Sequence, residues 1–153
     1  MSVDEATAFG LGFGAFEAIL IAVPSLMQIV VFILNSALLG SMPDLQREML
    51  EAQLGLPRWI VAAPIVERIF TVFAHVFATL LVFISVARGK LHFFLQAFFY
   101  KSLLDAAVPY IQVTLRPSVS PTRTYPAEVW VVAIGLMGLA GTRWAKKMMF
   151  KSE

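Results

Sequence analysis

Four long, mainly apolar stretches limit what this chain can fold into more than any other feature. They run over about Phe9 to Leu39, Trp59 to Ala87, Leu91 to Val113 and Ala127 to Met149. Each reaches the roughly 20 residues that a helix needs to cross the hydrocarbon core of a bilayer. The first two exceed it, so they are expected to tilt, kink or project beyond the lipid. Composition agrees: the chain of 153 residues is 59% hydrophobic and 14% charged, with a mean hydropathy of +0.78. The expected fold is an all-α membrane helix bundle of four transmembrane helices in a single domain, 1–153.

The N-terminus is acidic, with Asp4 and Glu5 before a long apolar run, which does not fit the basic start and short apolar region of a secretory signal. The absence of cysteine excludes disulfides, thiolate metal sites and cysteine catalysis. Basic residues are scattered and form no stripe with interleaved aromatics, so nucleic acid is not an expected partner. Arg88, Lys90, Arg143, Lys146, Lys147 and Lys151 fall on one side of a four-span topology, and Arg47, Arg58, Arg116 and Arg123 on the other. The positive-inside bias then predicts a multi-pass protein of the cell membrane with both termini cytoplasmic.

Between the first two spans, Pro43, Leu45, Met49, Ala52 and Gly55 alternate with acids and Arg47, predicting a short interfacial amphipathic helix over about 43–55. The three prolines of "RPSVSPTRTYP", 116–126, predict an extended exterior loop. Small residues recur every four positions in the first span, at Ala6, Gly10, Gly14, Ala18 and Ala22. Gly135, Gly138, Gly141 and Ala145 form a second ridge in the last. Both are expected to be faces of close helix packing.

Ionisable residues inside the spans are costly, about 2.5 to 3.5 kcal/mol each at a helix centre, and so face the bundle interior and mark functional sites. The candidates are Glu17, then Glu67, Arg68 and His75, then Lys101 and Asp105. At about 1.5 Å per residue, Glu17 lies roughly 12 Å into its span, and His75, Lys101 and Asp105 roughly 15 to 22 Å from the Arg88 side. Those depths are counted from one face of the membrane, which allows a shared site. Glu67 and His75 share a helix face across Thr71, and Lys101 and Asp105 are i and i+4.

Two kinds of chemistry remain open on these residues. Glu17 with His75 would form a carboxylate–imidazole pair suited to deprotonating a water. Alternatively, the acids Glu17, Glu67 and Asp105 balance Arg68, Lys101 and His75 as a buried ion-pair network that fixes helix register without turnover. A metal needs three or four ligands, and with a single imidazole among the candidates no metal or other cofactor is expected. His92, beside Lys90, reads as an interfacial residue with its ring tip toward the headgroups.

In order and spacing, "GLGFGAFEAIL", the amphipathic segment, "ERIFTVFAHVFATLLVF" and "FFYKSLLDAAVPY" resemble the YhfC-like membrane proteins. These are intramembrane proteases related to the CAAX-processing and bacteriocin-processing enzymes, and the resemblance covers about residues 9–113. The family's motifs resemble G-x-G-H-G-G-x-E, then E-R with a His eight residues after the Glu, then H-x-x-x-D. Glu17, Glu67, Arg68, His75 and Asp105 match them. The resemblance implies a peptide substrate, with Glu17 activating a water while His75 supports the oxyanion or orients that acid. Phe13 and Lys101 stand where the first and third motifs have His. It also implies further helices before the glycine motif, so the chain is expected to be short there, with one wall of the site closed by a second membrane subunit or another copy. With Lys101 in a supporting role the site would be that of a hydrolase. With Lys101 paired to an acid it would be that of a pseudoenzyme acting as a scaffold or assembly subunit.

Overall fold

The computed structural model describes residues 2–35, 62–115 and 121–150, with isolated positions between 40 and 55. These residues form helices α1 (Val3–Leu34), α2 (Ala62–Arg88), α3 (Leu91–Leu115) and α4 (Pro121–Phe150). Two of them, α1 and the Pro64–Arg88 part of α2, are long and apolar enough to cross a membrane by length and composition.

The start of α1 is set by a capping box. The Ser2 N–H donates to Glu5 Oε2 at 2.6 Å, and the Glu5 N–H donates to Ser2 Oγ at 3.2 Å, which satisfies two donors that a helix start leaves open. Asp4 and Glu5 in this turn also complement the helix dipole. The acidity of the N-terminus therefore has a local cause.

Helix α2 ends where Gly89 takes φ +63°. The Lys90 N–H donates to Ser85 O at 3.0 Å and the Gly89 N–H to Val86 O at 3.4 Å, the two bonds of a Schellman motif. The chain reverses at once into α3. Because an L side chain is penalised in this backbone region, Gly89→Ala is expected to cost about 1 kcal/mol. A small drop in the thermal midpoint in detergent, with unchanged helix content, would register it.

Helix α2 is the centre of the bundle and packs against all three others, whereas α1 rests on α2 and shares no extensive contact with α3 among the described residues. Ala74, Leu80, Leu81 and Ile84 of α2 are all but inaccessible. They join Ala6, Phe93, Ala97 and Ala145 at one end and Leu104, Val131 and Ile134 at the other.

Both expected ridges of small residues dock on α2. A Cβ at Gly10 would lie 2.8 Å from Val76 Cα, and one at Gly14 3.2 Å from Val72 Cα. On the opposite side Gly135 abuts Phe70, Gly138 abuts Phe73 and Ala74, and Gly141 abuts Phe77. Residue numbers fall along α2 as they rise along α1, and rise together for α4, so α1 is antiparallel and α4 parallel to α2. Arg88 Nη2 donates to Met148 O at 2.7 Å, and Lys146 Nζ lies 3.9 Å from Asp4 Oδ1. The start of α1, the α2–α3 turn and the end of α4 thus share one end of the bundle.

One expectation is corrected here. Residues 121–126 do not extend the 116–126 loop but open α4, because Pro121 at a first helical position has the right φ and needs no N–H there. The rest of that loop, 116–120, lies outside the described residues. So does most of the predicted interfacial helix, 43–55. Within it the Arg47 N–H donates to Pro43 O, and the Arg47 guanidinium pairs with Glu51 at 2.8 Å.

Candidate functional site

The absence of side chains at Gly10 and Gly14 lets α1 lie close along α2, and this approach carries Glu17 to His75. Glu17 Oε2 stands 2.8 Å from His75 Nε2, with the imidazole 3% exposed and the carboxylate 34%. The pair is close but not aligned as a hydrogen bond, so Nε2 is a buried nitrogen held beside a charge. One turn before Glu17, the Phe13 ring packs edge-on to His75 with centroids 5.2 Å apart, and Phe9 stacks on Phe13. The imidazole is therefore enclosed by α1 through one carboxylate and one apolar ring.

On α3 the Lys101 ammonium donates to Asp105 Oδ1 at 2.6 Å, as their i, i+4 spacing predicts. One turn further on, Pro109 brings no N–H. The Asp105 carbonyl thereby loses its usual i+4 helical donor.

A cavity of about 500 Å³ lies between α1 and α3, with α2 as its floor. Phe9 and Phe13 form one wall, Phe94, Phe98, Lys101 and Asp105 the other, and His75, Ala78, Thr79 and Val82 the floor. Glu17 is not among the lining residues and meets the cavity only through His75. An apolar chamber with a few convergent polar groups is the ordinary form of a binding site. Three of the residues read from the sequence, His75, Lys101 and Asp105, are at its surface, and Glu17 is just behind.

Glu67 stands apart from this group. Its carboxylate accepts from Arg68 Nη2 at 2.9 Å, and its carbonyl accepts from Thr71 Oγ1 at 2.8 Å. Sharing a face with His75 leaves Glu67 about two turns, roughly 12 Å, further along α2. Glu128 of α4, which sequence reasoning passed over, lies within electrostatic reach of Glu67 and Arg68. Its Oε2 is buried without a hydrogen-bond partner. The signal was present: Glu128 stands directly before "VWVV", inside the last apolar stretch.

A family model described as YhfC intramembrane metalloprotease matches residues 1–122. That range takes in α1, α2, α3 and every residue lining the cavity. No curated protein and no solved structure matches the chain.

Proposed function

The chain belongs to the YhfC intramembrane metalloprotease family, and from that premise we propose a membrane-embedded binding or assembly subunit whose cavity takes an apolar peptide segment of a partner membrane protein. In this reading α1 to α4 are four spans of the cell membrane. Both termini are cytoplasmic, since Arg88, Lys90, Arg143, Lys146 and Lys147 gather at the end where α1 begins and α4 ends.

The observation that carries the reading is the closure of the charged groups on one another. Lys101 is bonded to Asp105 and His75 is held by Glu17, which is not itself among the residues lining the cavity. A general base must come within hydrogen-bond reach of the proton it removes, directly or through one water. The peptide class is supported by the phenylalanine walls.

A glutamate-dependent hydrolase is the second reading, favoured by the 2.8 Å contact of carboxylate and imidazole. Glu17→Gln and Lys101→Met separate the two when peptide cleavage and folded yield are measured together in reconstituted vesicles. The binding reading expects no cleavage by the wild type, photo-crosslinking of an apolar peptide, and loss of that crosslink when Val82→Trp fills the cavity. Cleavage by the wild type that disappears in Glu17→Gln at unchanged yield would replace it with the hydrolase.

A further inference from the structure

The family's description names a metal, and the side chains of this cavity do not assemble a site for one. A catalytic metal takes at least three protein ligands and keeps one position open. Among the described residues no three His, Cys, Asp or Glu side chains come together as such a group. His75 and Glu17 meet, and the next two side chains around His75 offer nothing a cation can use. Phe13 presents a ring edge. Lys101 presents an ammonium, which has no lone pair while charged and repels a second cation.

Their placement carries the inference. Phe13 sits one turn before Glu17 on the same face of α1, and Lys101 one turn before Asp105 on α3. Phe13, His75, Lys101 and Asp105 line one cavity, on three different helices. Side chains projecting inward from several helices are what a bundle uses to hold a metal. Here positions on three helices line one cavity, and two of them, Phe13 and Lys101, offer no donor.

We infer that the chain as it stands holds no metal in this cavity, and that exchanging two side chains, Phe13→His and Lys101→His, installs a divalent transition-metal centre there. Two imidazoles join His75 and one carboxylate, Glu17 or Asp105, to give four ligands of the type that zinc and cobalt accept. Removing Lys101 also frees Asp105 from its ammonium, so the second exchange contributes a donor and unmasks another. The inference rests on the same cavity as the binding reading, but its test measures metal and not peptide.

The test is metal content of the full-length protein in detergent after dialysis against zinc chloride, with visible absorption after cobalt(II) chloride as an independent readout. The wild type is expected to retain well under one equivalent. The double variant is expected to retain about one equivalent and to lose it on adding His75→Ala. A wild type that holds about one zinc, released by His75→Ala, overturns the first half. A double variant that is helical and monodisperse yet binds neither metal overturns the second.

Should the double variant fail to fold, Lys101→His alone carries the test. With His75 and Asp105 it supplies three donors, and a cobalt(II) spectrum absent from the wild type is expected. No spectrum from that folded variant would end the inference. Loss of peptide crosslinking in any of these variants bears on the binding reading alone, so the two fail separately.

Discussion

His75→Leu is expected to destabilise the protein by about 3 kcal/mol, whereas the double variant Glu17→Leu/His75→Leu recovers most of that loss. His75 is 3% exposed and stands 2.8 Å from the Glu17 carboxylate. Removing the imidazole leaves an acid facing other helices and lipid with no compensating group, which is the expensive half of a broken buried pair. Removing both leaves two apolar side chains in an apolar setting. Unfolding in mixed detergent micelles, run on both single variants, the double variant and the wild type, gives the coupling between the two positions. If the double variant is as unstable as the single, the pair is not what holds α1 to α2 at this level. If stability returns while the peptide crosslink does not, the two polar groups are kept for binding and not for folding.

Gly135→Ala has the second large effect. An added Cβ would lie 2.5 Å from Phe70 Cβ and 2.7 Å from the Phe70 carbonyl oxygen. Neither of these is the far end of a flexible side chain, so one helix must shift. Overpacking of this kind costs about 1–3 kcal/mol, and α4 is the element that moves. Gly12→Ala is the control: a Cβ there meets nothing within 4 Å, and no loss is expected. Equal responses at the two positions would mean that the helix propensity both changes gain, and not contact between α2 and α4, governs the outcome. A reduced yield of folded protein confined to Gly135→Ala would locate the cause at the Phe70 contact.

The two ridges of small residues show what a sequence of this kind discloses. Spacing by four identified the packing faces of α1 and α4, but not that both dock on one helix. That choice depends on how α2 divides its circumference: Val72, His75, Val76 and Thr79 face α1, and Phe70, Phe73, Ala74 and Phe77 face α4. Hydropathy encodes it only weakly, because both faces are mainly apolar and only His75 and Thr79 mark the first. The meeting of Glu17 with His75 was legible from their positions along the helices. For Glu67 a shared face was not enough. Glu67 lies on the same stripe as His75, yet its neighbours are Arg68 and Glu128.

The limits at the helix ends have a different origin. Pro121 was read as a loop residue because proline breaks helices, but at a first helical position its fixed φ helps and its missing N–H costs nothing. Glu128 was not singled out, although it falls inside the last apolar stretch. Only the packing of α4 along α2 brings it within reach of Glu67 and Arg68. Lys101 and Asp105 needed no tertiary information, since an i, i+4 pair is closed by the helix itself.

The dependence of Glu17 on His75 also has a place in time. The two are separated by roughly 60 residues of synthesis, several seconds at about 5–20 residues per second. When α1 is made its carboxyl group has no imidazole to meet, and the glycines at 10 and 14 have no helix to lie against. Assembly of this bundle is accordingly ordered by its second helix: α1 is synthesised first but becomes a fixed part of the protein only when α2 arrives.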